Sequence, residues 1–497
     1  MKHRKLFCFF PFALCFLLSA SSFIMVIAQA DPPLRIELES AKDQQDYKFI
    51  PLSKYGVAVF YQSAILSIDT AQWVIIHYDT NLVRKNLFKL KLPNLCQYIS
   101  ADFSNDKLYL FLQKPAFKKD TLRNYILEWN IVTDDFQLFD LHNYKYPFRS
   151  SIKVVDDYIF MVINEQKAKK IVFYNHKTNT KNEWQLGDDE LIAIESFTVD
   201  SIAKKTYVCL FLRNKKNTWA EIFVADYSGK IMERVVLPAY QDVIYNSITI
   251  NISGKDSILL IGGYSNNRDK RQNGCFSGIF SMLFSKNRFS EINTYPFGAL
   301  LEKDSSLNKK QLLESSLTMN MLVKQSNGKF FAVTQLFYPE YQHNVSSSHR
   351  GFGYYGFAPP TNVFVGFRFL NAYISEFYTK GTPLNEWFFP LTNVLTQSIY
   401  HLVNVHQDNE ENSLFYYVHN NEIVSQFMNG QHVISAQSST SVELLQRADI
   451  LEYSSNLSMQ HWYDNSFILS GYQYIRNSQR GKGKRYVFFL SKFILLN

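Results

Sequence analysis

The chain has 497 residues, of which 46% are hydrophobic and 16% aromatic, and its formal net charge is +8. The 42 Phe and 31 Tyr residues, beside only 19 Gly and 14 Pro, exclude collagen-like and disordered classes. Such an aromatic excess favours pleated sheet, in which these side chains pack against cross-strand neighbours.

The amino terminus has the pattern of an export signal. Basic residues precede an apolar run over residues 6–27, and Ala28-Gln29-Ala30 supplies the small residues that a signal peptidase accepts. We predict that residues 1–30 are cleaved, which gives a periplasmic, outer-membrane-associated or extracellular protein without a membrane span. The alternative is an uncleaved anchor, since the run is long enough to cross about 30 Å of hydrocarbon. Cleavage lowers the net charge from +8 to +5, which predicts no nucleic-acid partner.

Cysteine usage predicts no metal centre and no cofactor. Of the five Cys residues, Cys96, Cys209 and Cys275 remain after cleavage, an odd number without any C-x-x-C pair. Cys209 lies in an apolar run, so we expect a buried and unreactive thiol.

One sequence pattern recurs along the chain. A strand-like run over residues 73–79 ends in an aromatic residue and Asp79, and after a polar turn a second run ends at Leu92-Pro93. Similar pairs follow at 125–141, 171–186, 222–238, 279–297 and 373–391, with weaker copies near Ser413 and Tyr486.

The recurrence predicts an all-β fold, a β-propeller of four-stranded antiparallel blades. The units are 46–93, 96–141, 147–186, 190–238, 242–297, 315–391, 395–436 and 446–497, and the regular ones are spaced by about 45–57 residues. We favour seven blades over eight, because the last two units are poorly delimited. Residues 31–497 form one domain, and we expect Arg35–Leu38 to close the ring as the outer strand of the last blade.

Two insertions interrupt this period, at 300–320 and at 338–361. The first has helical spacing of apolar residues between Ser305 and Met319, which predicts a short helix. The second is a long loop, and loops of this length are often functional.

Strand order predicts that the hairpins between second and third strands emerge on one face. Basic residues gather there, which predicts a face that attracts an acidic protein, an anionic polymer or a membrane surface. The alternative is that these are ordinary solvated hairpin tips, and Asp408, Glu410 and Glu411 interrupt the pattern. The basic candidates are Lys118, Lys119, Lys169, Lys215, Arg268, Arg271, Lys482 and Lys484.

The second insertion emerges on the same face and is rich in aromatic residues and glycine. Its side chains could form a lip for a peptide or a sugar ring, or the insertion could lie flat with its aromatics packed down. The candidates are Tyr341, His343, His349, Arg350, Phe352, Tyr354, Tyr355 and Phe357.

Local motifs for catalysis are absent from the sequence, including H-E-x-x-H, G-x-S-x-G and a Walker loop. We therefore predict a binding or scaffold module of the cell envelope. The alternative is a carbohydrate-active enzyme, a glycoside hydrolase or lyase, whose carboxylates converge at the central channel without a local spacing rule.

The segment 337–341, the aromatic-glycine loop, and the stretches 372–377 and 384–387 together resemble exported proteins of Bacteroidota-type bacteria. The resemblance covers about residues 330–391, with an echo at 77–82. It implies an envelope location and carries over no activity and no catalytic residue.

Overall fold

The structure is a computed structural model. It describes residues 34–40, 46–114, 123–141, 150–164, 169–186, 191–213, 218–240, 243–266, 277–296, 316–324, 329–344, 361–378, 383–392, 394–408, 412–429, 432–446, 448–477 and 483–494. Within these ranges there are 35 β-strands, one 3-10 turn at Ser53–Tyr55 and no α-helix. The predicted all-β class is confirmed.

The first strand, β1 (Arg35–Glu39), belongs to the last sheet of the chain, and the next sixteen form four sheets of consecutive antiparallel strands. These are sheet 1, with β2 (Lys48–Pro51), β3 (Val57–Ile65), β4 (Thr70–Tyr78) and β5 (Arg84–Pro93); sheet 2, with β6 (Gln97–Ser104), β7 (Lys107–Lys114), β8 (Arg123–Asn130) and β9 (Asp135–Asp140); sheet 3, with β10 (Ser150–Val155), β11 (Tyr158–Asn164), β12 (Lys169–Asn175) and β13 (Thr180–Leu186); and sheet 4, with β14 (Leu191–Asp200), β15 (Lys205–Arg213), β16 (Thr218–Asp226) and β17 (Ile231–Val236).

Sheets 5 to 7 repeat this order, each with one extra short strand, and sheet 8 combines the two ends of the described chain. These are sheet 5, with β18 (Val243–Gly254), β19 (Ser257–Asn266), β20 (Gly278–Ser285), β21 (Arg288–Phe289) and β22 (Asn293–Pro296); sheet 6, with β23 (Ser316–Lys324), β24 (Phe330–Asn344), β25 (Thr361–Phe377), β26 (Pro383–Pro390) and β27 (Leu395–Thr396); sheet 7, with β28 (Asn404–Gln407), β29 (Asn412–His419), β30 (Glu422–Asn429), β31 (His432–Val433) and β32 (Ser438–Ser441); and sheet 8, with β33 (Asp449–Tyr463), β34 (Ser466–Asn477), β35 (Lys484–Ile494) and β1.

Buried side chains between the sheets show how the sheets are arranged. The described residues contain eight apolar clusters, and each cluster joins one sheet to the next. The remaining junction packs Val59 and Ile76 of sheet 1 against Ile468 and Phe488 of sheet 8. The chain is a β-propeller of eight blades.

The preferred number of seven blades is therefore wrong, and the alternative of eight is right. The error has a physical origin in blade 7. Its inner strand, β28, has only four residues, and its outer strand is divided into the short pieces β31 and β32. Short strands carry too few alternating residues to be recognised by their periodicity.

In sheet 8, β1 pairs antiparallel with β35 along its whole length, from Arg35 opposite Ser491 to Glu39 opposite Val487. The Arg35 side chain is buried, and its Nη2 donates to Gln473 Oε1 at 2.6 Å. Its guanidinium also stacks on the Phe489 ring at 4.1 Å from the centroid. Strand β1 is thus held in sheet 8 by the Arg35 side chain as well as by its backbone hydrogen bonds to β35.

The propeller has two distinct faces. The face that we call the turn face carries the connections between first and second and between third and fourth strands. Many of these are tight turns with Asn or Asp in the left-handed region, which suits those residues: Asn105, Asp106, Asp134, Asp156, Asn179, Asp256 and Asn287. The hairpin face carries the connections between second and third strands and the passages from one sheet to the next.

Parts of both predicted insertions lie in strands. Residues 316–319, assigned to the predicted helix, lie in strand β23. Residues 338–344 and 361, assigned to the predicted loop, lie in β24 and β25, because both strands extend beyond the blade. The remaining parts of both insertions, like the predicted signal at 1–30, lie outside the described residues.

Within the described ranges, we find no helix with the length and apolar character that a bilayer crossing needs.

Candidate interaction surface

Blade 6 carries a hairpin that projects from the hairpin face. Strands β24 and β25 pair from Phe330 opposite Phe377 to Asn344 opposite Thr361, with register shifts after Gln335 and after Glu340. The inner strand β23 pairs with β24 only as far as Phe337, and β26 pairs with β25 only from Asn371 onwards. Within the described part of the chain, residues 338–344 therefore extend about 20 Å beyond the pairing with β23, at the usual rise of a strand, and β27 pairs with β25 at Phe367 and Arg368.

Aromatic side chains run along one side of this projecting hairpin. Phe337 is buried in the core, and its ring lies 5.8 Å from that of Phe367. The next steps are 5.1 Å from Phe367 to Phe364 and 5.7 Å from Phe364 to Tyr341. Because an isolated two-stranded hairpin is marginally stable, this ladder of edge-to-face contacts supports the projecting part.

The end of the ladder is open to solvent. Tyr341 is 54% exposed and Phe364 40%, and Val363, which is 44% exposed, lies on the opposite side of the hairpin because successive strand residues alternate. Neighbouring exposed apolar side chains on a projecting element are typical of a contact site for another molecule.

The base of the hairpin is fixed by a close approach of the chain. Gly366 has φ +149, and a Cβ there would lie 2.5 Å from the Thr396 carbonyl oxygen, where β27 crosses the hairpin. Next to it, Arg368 forms an ion pair with Glu340 of the opposite strand, and this hydrogen bond raises the pKa of Arg368. The base of the hairpin is thus held by the close backbone contact at Gly366 and by the ion pair between Arg368 and Glu340.

The structure places four of the sixteen predicted site residues in strands. Tyr341 is at the open end of the ladder, and His343 pairs through its backbone with Asn362. Lys169 begins β12, and Lys484 begins β35. The others lie outside the described residues: His349, Arg350, Phe352, Tyr354, Tyr355, Phe357, Lys118, Lys119, Lys215, Arg268, Arg271 and Lys482.

Basic side chains near these positions are matched by carboxylates. Lys484 and Arg476 both contact Glu452, at 3.5 and 3.4 Å. Lys114 lies 3.8 Å from Asp69 at the adjacent hairpin of blade 1. In these places the hairpin face presents ion pairs, and solvent-exposed pairs of this kind contribute little to stability.

The strand order changes the position expected for Asp408, which the sequence analysis counted as an acidic residue among the basic hairpins. Asp408 follows β28 and precedes β29, the first two strands of blade 7. It therefore belongs to the turn face and does not interrupt the basic hairpins. The sequence reading failed here because the short β28 was not recognised as the inner strand.

Two acidic residues of inner strands are engaged in contacts between blades. Asp102 Oδ2 accepts a hydrogen bond from the Val154 amide at 2.6 Å, and Glu195 Oε1 accepts one from Ile248 at 3.3 Å. Burial raises the pKa of Glu195. These carboxylates link neighbouring inner strands.

Neither described cysteine is a nucleophile. Cys96 and Cys209 are both buried and free, and burial raises the pKa of Cys96 to about 12. Burial also raises the pKa of Cys209 well above its ordinary value, so both stay as thiols at neutral pH. Within the described ranges, no group of three or more His, Cys, Asp or Glu residues could hold a metal ion.

Sequence reasoning missed Val363 and Phe364, since both follow the predicted loop and read as ordinary strand residues. Their alternation within Thr361–Phe377 is visible in the sequence. Their exposure is not, because it depends on where the neighbouring strands β23 and β26 stop.

Comparison with known proteins gives no family. No protein-family model matches the chain, and no curated protein matches it either. Among solved structures, it is similar to the polysaccharide lyase Uly1, with 7% identity and a TM-score of 0.44 over 80% of this chain and 90% of that chain. The WD40 domain of SCAP from fission yeast has 11% identity and a TM-score of 0.39, over 92% and 97%.

A third similar structure is the β-propeller domain of the Trilobed protease from Pyrococcus furiosus. It has 10% identity and a TM-score of 0.36, over 81% of this chain and 96% of that chain. Likenesses at this level carry no argument about activity or partners, and the eight-bladed assignment rests on the sheets and clusters described above.

Proposed function

We propose that this chain is an exported propeller that binds another macromolecule of the cell envelope through its hairpin face, as a scaffold or interaction module. The observation that carries the proposal is the projecting hairpin of blade 6, with Tyr341, Val363 and Phe364 exposed at its end. Large rigid aromatic side chains contribute strongly at protein interfaces, because they bury much area with little loss of conformational entropy.

A protein partner fits this surface better than an anionic polymer. The basic side chains Lys114, Arg476 and Lys484 are already matched by carboxylates, whereas the apolar side chains of the hairpin are open.

The test is a capture experiment from envelope extract with three forms of the mature protein. In the first variant Tyr341, Val363 and Phe364 are each replaced by Ser. The matched control carries the same replacement at Val83, Val132 and Ile202, which are 60%, 65% and 78% exposed in connections of the turn face. Thermal unfolding of all three forms checks that each is folded.

We expect the hairpin variant to retain at most about a tenth of the captured partner, because loss of hot-spot side chains costs about 2 kcal/mol each. The control should capture as much as the wild type. Equal capture by all three forms would remove the hairpin from the proposal. Loss of capture in about 0.5 M salt, with the hairpin variant unaffected, would favour an anionic polymer instead.

Export is a separate part of the proposal. We propose that cleavage after Ala30 leaves a single domain of residues 31–497, and the pairing of β1 with β35 supports closure of the ring by this strand. Mass spectrometry of protein recovered from the envelope should give a mature chain that begins at Asp31. A chain that retains Met1 would show that residues 1–30 stay as an anchor.

A further inference from the structure

The connection between the second and third strands of blade 1 ends in an aliphatic tip. Strand β3 ends at Ile65, β4 begins at Thr70, and residues 66–69 join them. Ile65, Leu66 and Ile68 are all exposed, and Ile68, at 85%, is the most exposed large hydrophobic residue in the described part of the chain. These residues, 65–69, are called the blade 1 tip. They lie on the hairpin face, on a different blade from the projecting hairpin.

Leu95 adds a fourth exposed aliphatic side chain beside the tip. It follows β5, and the amide of the preceding Asn94 donates to the Asp69 carbonyl at 2.9 Å. Leu95 has φ +64, a left-handed conformation that leucine rarely adopts, and Asn94 Oδ1 accepts a hydrogen bond from its amide at 2.8 Å. Backbone strain that presents an apolar side chain to water is typical of a contact position.

The backbone of the tip is bonded within the protein. Ser67 Oγ accepts hydrogen bonds from the Asp69 and Thr70 amides at 3.3 and 3.1 Å. Asn94 Nδ2 donates to the Ser67 and Ile68 carbonyls at 3.3 and 3.2 Å. Peptide groups that approach hydrocarbon need partners inside the protein, and these groups have them.

The side-chain chemistry favours a lipid surface over a folded protein. Hot spots of protein interfaces are enriched in Trp, Tyr and Arg, and Leu is under-represented among them. The blade 1 tip has only aliphatic apolar side chains, unlike the aromatic ladder of blade 6. Exposed apolar residues of the turn face, such as Val132 and Ile202, stand singly in their connections, which is ordinary for a protein surface.

Unpaired cations lie near the tip. Lys91 and Lys89 of β5 are exposed, and they precede Pro93, where the β4–β5 ladder ends, by two and four residues. At the usual rise of a strand they lie about 7 and 13 Å from that end. Neither forms an ion pair with another described residue. Long lysine side chains at this distance can place their ammonium groups among lipid headgroups while the tip is inserted.

The carboxylate of the tip does not oppose this arrangement. Asp69 lies 3.8 Å from Lys114 of the neighbouring blade, so the two charges compensate each other. The net charge beside the tip is therefore that of the two lysines of β5, which complements an anionic membrane surface.

We propose that the blade 1 tip inserts into the surface of a bilayer that contains anionic lipid. Leu66 and Ile68 enter the boundary between headgroups and acyl chains, and Lys89 and Lys91 contact the headgroups. This contact goes beyond the protein interaction proposed above, and either of the two can exist without the other.

The test is co-sedimentation of the mature protein with lipid vesicles. One set is phosphatidylcholine alone, and the other is phosphatidylcholine with about 30 mol% phosphatidylglycerol. The bound fraction is measured against lipid concentration in about 0.1 M salt, at which charges near the surface are only partly screened.

A tip variant and a matched control separate this contact from general stickiness. The tip variant is Leu66→Ser with Ile68→Ser. The control, Val132→Ser with Ile202→Ser, removes a similar exposed apolar area from the turn face. Thermal unfolding checks that both are folded.

Two further variants test the charges and the position of the contact. Lys89→Gln with Lys91→Gln removes the cations of β5 and leaves the tip unchanged. The variant with Ser at positions 341, 363 and 364, used above for partner capture, tests whether blade 6 contributes to vesicle binding.

We expect the wild type, the turn-face control and the blade 6 variant to bind the anionic vesicles alike. The tip variant should bind them at least about tenfold more weakly, and the lysine variant at least about fivefold more weakly.

The proposal is overturned if folded wild type does not bind the anionic vesicles, or binds both kinds of vesicle equally. Equal binding by the tip variant and the wild type would also overturn it, as would equal weakening in the tip variant and the turn-face control. Weakening in the blade 6 variant alone would assign the membrane contact to blade 6. Loss of a captured protein in the tip variant, without vesicle binding by the wild type, would assign the tip to a protein partner instead.

Discussion

Single residues of this propeller are fixed by contacts between blades. Gly56 has φ +115, and a Cβ at this position would lie 1.9 Å from the Tyr78 carbonyl oxygen. Its own carbonyl accepts hydrogen bonds from the Leu52 amide and from Trp462 Nε1 of blade 8, both at 2.8 Å. A side chain at position 56 must therefore shift backbone that two blades share.

We expect Gly56→Ala to lower the free energy of unfolding by about 3 kcal/mol, from backbone strain and overpacking together. Urea unfolding measures this. Gly254→Ala is the matched control, because a Cβ there meets only the Ser257 hydroxyl at 3.1 Å, and its effect should stay below about 1 kcal/mol. Similar effects of both substitutions would contradict the account.

Stacked histidines at the junction of blades 7 and 8 give a pH dependence. The rings of His406 and His461 lie 3.9 Å apart, with Phe467 and Asp408 as the other neighbours. Burial and the second imidazole lower the pKa of His406 to about 4, with Asp408 opposing. The folded state therefore favours the neutral ring, and its contribution to stability is complete above pH 6.5 and is lost as the pH falls towards 4.

We expect this residue to account for about 1–2 kcal/mol of the stability lost between pH 7 and pH 4, after allowance for solvent screening. The variant His406→Gln should lose correspondingly less stability over that range, as measured by urea unfolding at each pH. Identical pH profiles for the two proteins would contradict the assignment.

At the scale of the element, the chain between blades 6 and 7 depends on one buried side chain. Gln335 of β24 is fully buried, and its Oε1 accepts hydrogen bonds from the Leu402 and Val403 amides at 2.8 and 2.9 Å. Its Nε2 donates to the Tyr400 carbonyl at 3.2 Å. A segment with little regular structure is thereby anchored to the blade before it.

We expect Gln335→Leu to lower the free energy of unfolding by about 2–4 kcal/mol, because it removes three hydrogen bonds from a fully buried side chain. Gln397→Leu is the control: Gln397 is exposed and makes one bond of 2.9 Å to the Val365 carbonyl, so about 0.5 kcal/mol or less is expected. Hydrogen exchange should also accelerate at Leu402 and Val403 in the first variant alone. Unchanged protection at those amides would show that the anchor lies elsewhere.

The elements were predictable from the sequence where alternation is long and turns are clear. The strand of Trp73 and the turn at Asp79 are present as expected, at β4 and the connection to β5. The helix expected through Met319 is absent at its described end, where Ser316–Met319 lie in strand β23. Short apolar segments fit both the helical period of about 3.6 residues and the strand period of two, and packing within the blade decides which structure forms.

At the scale of the whole molecule, the repeat explains contacts that no local pattern reveals. Side-chain bonds between blades join residues about one repeat apart, such as Asn86 with Asp134, Asp102 with Val154 and Asn421 with Gln473. The repeat could be read from the sequence. The meeting of Glu128 with His176, or the open end of the hairpin, could not, because each depends on how neighbouring sheets pack and where their strands end.

We propose that β1 completes the eight-bladed ring within the last blade. Hydrogen-exchange mass spectrometry on the mature protein tests it most directly, through the peptide that covers Arg35–Glu39. The account predicts that the amides of β1 that donate to β35 are protected to the same degree as their partners in β35, since the two strands form one ladder and open together. Exchange of this peptide at the rate of an unstructured chain, beside a protected β35, would contradict it.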